Sequence, residues 1–339
     1  MLKTKLKSLF RPLFAIVYIS LLACSSTALY GCQKFDDVED LNDSVTPYID
    51  KTTSEFIAVF GDIQFYTYEE YIDIFKKSLN WLENNPNHIN ITNVLCTGDI
   101  VHNSQKQWSY FEEAMEDFSL PFITCIGNHD YVWENSLIND RKNTWFNLYV
   151  QFPLVVDRIE AAFEEGHMEN IVVRNEIHGQ RYDFLVLEFG PRKEVVEWAK
   201  NWVSSHPEIK YILLTHEYLE MGGERRIANI TSEKQFRNTT YTTPDELWTQ
   251  LVKCNDNIAW VICGHVGGLY AVTYSKNNFG RQVCQIEHNI QGSNYRYDNW
   301  IMMWEFPEDS DEANVTIVNA VGGRLYKLRT SLFTFKYRY

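Results

Sequence analysis

The chain has 339 residues, 45% hydrophobic and 22% charged, an ordinary globular composition with enough apolar material for a sizeable core in one large domain or two small ones. Its formal charge of −14 disfavours bulk nucleic-acid binding through a basic face, because that mode depends on Lys and Arg neutralising phosphates; a small phosphate ester at a metal site is not excluded. Seven cysteines with no CxxC pair give neither a disulfide framework nor a zinc knuckle, and Cys96, Cys125 and Cys263, inside apolar strand-like runs, read as buried thiols.

The first eleven residues crowd Lys3, Lys5, Lys7 and Arg11, after which Pro12 to Tyr30 is almost free of charge, the pattern of a secretory leader. A spanning helix needs about 20 apolar residues, so the run is marginally long enough for an uncleaved anchor. Its cysteines suggest another fate. "LLAC" ending at Cys24 and "LYGC" ending at Cys32 both resemble the bacterial lipoprotein box, and the acidic "QKFDDVEDLND" after Cys32 resembles the start of a mature Gram-negative lipoprotein. We read residues 1–31 as signal peptide, Cys32 as the lipidated residue with Cys24 as the alternative, and 32–54 as an acidic linker. Losing four basic and no acidic residues takes the charge from −14 to −18. The expected location is the cell envelope of a Gram-negative bacterium, on the outer membrane or periplasmic face, with the membrane reached through the lipid.

From Glu55 to the end, one domain is expected. "EFIAVFGD", "NVLCTGD", "PFITCIGNHD", "YILLTH" and "AWVICGH" are short β-prone runs, each ending in a metal-competent side chain. Between them "EEYIDIFKKSLNWLE", "SQKQWSYFEEAMEDF", "RKEVVEWAKNWVSS" and "PDELWTQLVKC" carry helical spacing, and the aromatics of the second and third read as core. Alternating strands and helices predict an α/β core with sheets covered on both faces and functional groups gathered past the strands' carboxyl ends. After Gly264, "LYAVTYS", "RQVCQIE", "WIMMWEF", "NVTIVNAV" and "LFTFKY" are β-rich and read as completing the same sandwich, an appended β domain being the alternative.

The polar endings are Asp62 and Gln64 in "GDIQ", Asp99 in "GDI", Asn128, His129 and Asp130 in "GNHD", His216 in "LLTHE" and His265 in "CGHVGG". Over roughly Glu55 to Gly268 they resemble the blocks of the calcineurin-like metallophosphoesterases: Asp-x-His, Gly-Asp, Gly-Asn-His-Asp/Glu, His and Gly-His-x-His. The resemblance implies a sandwich of two mixed β-sheets flanked by helices and a pair of divalent transition-metal ions hydrolysing a phosphate monoester or diester. It places Asp62 on a first metal, Asp99 on both, and Asn128, His216 and His265 on the second. A carboxylate can bridge cations about 3.5–4 Å apart, and this donor mixture suits Mn, Fe or Zn. His129 matches the family's substrate-facing His, with Asp130 as its candidate orienting partner.

Two departures fall on the first metal: Gln64 stands where the family has His, and Gly267 where the last His of Gly-His-x-His would be. That seat is weaker, water-filled or empty. "GDIQ", "GHVGG" and "IEHNIQG" together resemble a branch pairing a Gly-Asp-x-Gln start with a late Asn-x-Gln segment, which makes Asn289 and Gln291 candidates for rim or outer-shell contacts; a polar β-turn is the plainer reading. His288 is a replacement ligand or, following a strand-like run, structural. His102 is a phosphate contact or a solvated loop residue, and Arg225, Arg226, Arg281 and Arg296 are each a possible phosphate clamp. Specificity is expected in loops 131–152 and 221–241. The alternative to an enzyme is a surface-binding module that keeps the fold and one metal seat.

Overall fold

The structure, a computed structural model, describes residues 53–338 except 85–88, 136, 139, 228–234, 238, 290, 292–298, 322–323 and 327–331, together with two short earlier strands, Leu29–Tyr30 and Val38–Asp40. Cys24, Cys32, most of the leader and linker, and Arg296 lie outside the described residues.

In chain order the main strands are β1 (Glu55–Phe60), β2 (Asn90–Cys96), β3 (Phe122–Thr124), β4 (Ile159–Ala162), β5 (Ile171–Val173), β6 (Gln180–Val186), β7 (Lys210–Leu214), β8 (Ile258–Cys263), β9 (Ala271–Lys276), β10 (Gln282–Glu287), β11 (Trp300–Phe306), β12 (Glu312–Asn319) and β13 (Phe333–Lys336). The longer helices are α1 (Ile72–Glu83), α2 (Gln105–Met115) and α3 (Lys193–Ser205). The segment predicted as a fourth helix is shorter and wider: a single α turn at Pro244–Leu247 runs into a π turn at Trp248–Val252.

Two mixed sheets result. One runs β9-β10-β8-β7-β6-β5-β4, with β6, β7, β8 and β10 parallel and Leu29–Tyr30 paired beside β9. The other runs β12-β11-β1-β2-β3, with β1, β2 and β3 parallel, β11 and β12 antiparallel, and β13 alongside β12. The β-rich segments after Gly264 therefore pair into both sheets.

Strands β8 and β11 are buried at every position and β1 at all but its first, as in sheets covered on both faces. Alternation sorts the first sheet's side chains: Phe184, Val186, Ile212, Leu214, Trp260 and Ile262 face the second sheet, while Leu185, Tyr211, Leu213, Val261 and Cys263 face outward under α3 and the Pro244–Val252 turns. Trp260 locks the layers together, its ring 5.0 Å from Phe335, 6.2 Å from Phe306 and 6.4 Å from Trp304 across the gap. Outside the second sheet, α1 and α2 meet through Phe75 and Phe111, 6.0 Å apart, and Phe60 packs 5.5 Å from Phe75. Trp108 and Phe111 lie fully in the core, whereas Tyr110, Phe118, Trp198 and Trp202, also read as core, are only partly buried against it. Among the described residues, no helix is long and apolar enough to cross a membrane.

Because β1 and β2 in one sheet and β7 and β8 in the other end at the same rim, their trailing residues meet there. Trp260→Ala removes the side chain that both sheets share. Equilibrium denaturation is expected to show about 3–5 kcal/mol of lost stability.

Candidate metal centre

Local backbone geometry delivers each ligand. After β2, Gly98 (φ 98°) and Asp99 (φ 51°) both take left-handed conformations, and after β8 His265 does too (φ 73°). For Asp99 and His265 this costs about 1–3 kcal/mol each, strain of the kind held at functional sites. Glycine is required beside them: a Cβ on Gly127 would stand 2.1 Å from Asp99 Oδ1, and one on Gly264 would stand 2.3 Å from Thr97 Oγ1. Asn128–Asp130 forms one 3₁₀ turn, whose three residues per turn send three consecutive side chains in three directions.

The structure brings Asp99, Asn128, His216 and His265 together. Asn128 Oδ1 is 3.1 Å from His216 Nε2 and 3.1 Å from His265 Nδ1, those two nitrogens are 3.1 Å apart, and Asp99 Oδ2 is 3.3 Å from His216 Nε2. The Asp99, His216 and His265 donor atoms all fall within 4.8 Å of one another. The other ring nitrogens fix the tautomers. His216 Nδ1 donates to the Thr97 carbonyl at 2.7 Å, and His265 Nε2 faces Glu217 Oε1 at 3.5 Å. Both inward nitrogens then present lone pairs, beside an amide oxygen and a carboxylate oxygen. Imidazole binds Zn-like cations at about 2.0–2.1 Å, which spaces neighbouring ligands a little over 3 Å apart, so the donor set fits one cation.

The charges agree. Burial pulls the His216 pKa down, but Asp99 and Asp62 overcome it and hold it up at about 10. Burial would raise Asp99; His216 and His129 outweigh it and keep that carboxyl below the usual range. In a cation-free chain the proton on His216 supplies the positive charge, and metal binding would release it.

The first seat is built differently. Asp62 Oδ1 accepts from the His265 backbone N–H at 3.0 Å and from Thr97 Oγ1 at 3.4 Å, while Oδ2 accepts from Asn289 Nδ2 at 2.6 Å. Gln64 Oε1 is buried with no hydrogen-bond partner, and Gly267 brings no side chain. His288 does not replace the lost ligand: it is buried between the sheets, with Nδ1 3.0 Å from the Leu269 carbonyl and Nε2 3.3 Å from that of Trp300. Asn289 lies inside the site against Asp62 rather than on its rim, and its Oδ1 accepts the Gln291 backbone N–H at 2.9 Å.

His129 sits at the mouth, its ring sandwiched between His102 at 4.3 Å and Trp133 at 4.8 Å. Burial lowers its pKa, Nδ1 has no partner, and Nε2 is 4.0 Å from Asp99 Oδ2. His102 therefore meets the site through His129, while Trp133 Nε1 donates to the Asn128 carbonyl at 2.7 Å. Asp130 is a correction. Its carboxylate does not reach His129; it accepts from the N–H groups of Gly127 (2.8 Å), Ile100 (2.8 Å) and Val101 (3.1 Å). The 3₁₀ turn points it backward, so it braces the Asp99 loop. Burial and the charge of Asp99 push it up to about 8 against the pull of those N–H groups.

Three of the four candidate arginines have partners within the chain, and the fourth, Arg296, lies outside the described residues. Arg226 is held by Glu217 (2.9 Å) and Glu220 (2.9 Å), Arg225 by Ser275, Gln285 and Asp245, and Arg281 by Asp256. Glu217 escaped the motif reading. Buried beside His216, it takes Arg226 and the Tyr241 hydroxyl and faces the outer nitrogen of His265, the outer-shell carboxylate that fixes a metal-binding imidazole.

Two mixed sheets with such a rim define a metallophosphoesterase-type α/β sandwich. The calcineurin-like phosphoesterase family model matches residues 57–268, and the chain belongs to that family of metal-dependent phosphoester hydrolases. It is 25% identical over 294 residues to the uncharacterised protein YvnB of Bacillus subtilis (strain 168); the match takes in 81% of this chain but 20% of YvnB, so the chain spans about a fifth of that relative. Among solved structures, it is similar to a 5′-nucleotidase precursor from Thermus thermophilus (12% identity, TM-score 0.46, covering 83% of this chain and 53% of that one). GAP50, the anchor in the inner membrane complex of Plasmodium, is also similar (12%, TM-score 0.46, 84% and 89%).

Two substitutions separate ligand orientation from scaffold. Glu217→Gln is expected to weaken metal affinity about 10–100-fold by competition titration. Asp130→Asn replaces a carboxylate oxygen with N–H groups that cannot accept from the backbone, and a loss of about 1–3 kcal/mol is expected in denaturation.

Proposed function

We propose that this chain hydrolyses a small phosphate monoester or diester outside the cytoplasm, with water as the attacking group. The observation that carries the reading is the convergence of Asp99, Asn128, His216 and His265 on one volume the size of a cation. When bound there, a divalent Mn, Fe or Zn ion supplies Lewis acidity and makes water a nucleophile near neutral pH. Asp99 also accepts the His129 backbone N–H at 2.9 Å, which ties the ligand loop to the substrate-facing loop. His129, stacked and neutral, has one ring N–H to give to the phosphoryl group or the leaving oxygen as charge develops. The cysteines do not supply a covalent route among the described residues: Cys96, Cys125, Cys263 and Cys284 are buried and their thiols are pushed up, away from thiolate, and the exposed Cys254 lies away from the rim against Thr249 and Asn278.

The leader sequence supports lipid anchoring at Cys32, or alternatively Cys24, in a Gram-negative cell envelope. Palmitate labelling that survives Cys24→Ser and is lost in Cys32→Ser is the expected outcome; labelling indifferent to both contradicts the anchor.

Turnover of p-nitrophenyl phosphate or its bis-ester is expected with added Mn, Fe or Zn, with loss on chelation and in Asp99→Ala and Asn128→Ala. His129→Ala is expected to keep the metal and lower kcat about 10²–10⁴-fold. No turnover on a broad panel of phosphate esters, with metal bound, would instead favour a surface-binding module.

A further inference from the structure

We propose that the rim holds a single tightly bound cation, and that the Asn289–Asp62 hydrogen bond stands where the second ion of a metal pair would. The inference rests on the metal reading of the same site and deepens it. The two halves of the rim are unequally equipped. One offers the Asp99 carboxylate, the Asn128 amide oxygen and two imidazole lone pairs, all mutually in reach. The other keeps the buried carboxylate of Asp62, already accepting three hydrogen bonds.

The direction of the Asn289 amide decides the matter. Amide oxygen and nitrogen are told apart by their partners, and here Asn289 Oδ1 receives the Gln291 backbone N–H at 2.9 Å, a group that only donates. The NH₂ end therefore faces Asp62, 2.6 Å from Oδ2. An N–H dipole aimed at that oxygen supplies part of the positive field a cation would bring, and it takes a lone pair from coordination. The nitrogen ligands are gone as well: Gln64 leaves a neutral carbonyl oxygen, and Gly267 leaves nothing. The other buried carboxylate nearby, Glu287, has neither oxygen hydrogen-bonded, but it is in register with Cys263 on the sheet's outer face, its Oε2 4.0 Å from where a Gly268 Cβ would stand.

Chelator-treated protein is equilibrated with Mn(II) and, separately, Zn(II), then analysed for metal per chain and by anomalous diffraction. One ion and one anomalous peak among Asp99, Asn128, His216 and His265 are expected. A second ordered peak, whether between Asp62 and Gln64 or against Glu287, overturns the proposal, and a chain that binds no ion overturns it together with the metal reading. Two variants test the cause. Asn289→Asp keeps the shape and the Gln291 contact while replacing the N–H donor by oxygen, and Gln64→His with Gly267→His restores the imidazoles. A second ion gained by either supports the proposal; a second ion in neither overturns it. A single ion without turnover contradicts the catalytic reading and leaves the metal count standing.

Discussion

Four lone pairs directed into one small buried volume repel one another unless something positive lies between them. That constraint organises the rim. Asn128 Oδ1, His216 Nε2 and His265 Nδ1 stand 3.1 Å apart with Asp99 Oδ2 3.3 Å from His216 Nε2, and each is held from behind: His216 by the Thr97 carbonyl, His265 by Glu217, Asn128 through its backbone carbonyl by Trp133, and the Asp99 loop by Asp130. Burial raises the stakes, because an unpaired charge in a dry site costs far more than one in water.

The fold makes that closeness affordable. Two mixed sheets, locked by Trp260 against Phe306 and Phe335, bring five strands, β1, β2 and β3 from one layer and β7 and β8 from the other, to a common edge, and the glycines at 98, 127 and 264 let the loops approach to distances no Cβ would allow. Asp99 and His265 hold left-handed backbone conformations that the surrounding hydrogen bonds over-determine. Stability is given up locally so that ligands leaving different strands aim at one point.

Much of this was legible in the sequence, for a physical reason. Short apolar runs that end in Gly or Thr and then a metal-competent side chain are unusual for ordinary turns, and five of them constrain strand order, rim and ligand type together. What escaped was what depends on direction or on distant partners. Asp130 follows His129 in sequence, yet the 3₁₀ turn sends its side chain the opposite way. Asn289 was named for a rim or outer-shell contact, but its partner Asp62 lies 227 positions away, beyond any local pattern. Glu217 looked like one more acidic residue after a His, and Arg225, Arg226 and Arg281 looked available because sequence does not display their carboxylate and amide partners.

The test closest to the centre of this account is X-ray absorption at the zinc edge of Zn(II)-loaded protein. The account predicts a first shell of nitrogen and oxygen at about 2.0–2.2 Å with outer-shell scattering from two imidazoles, both lost together in a His216→Ala, His265→Ala double variant. A shell without imidazole scattering, or one unchanged by that double substitution, would contradict it.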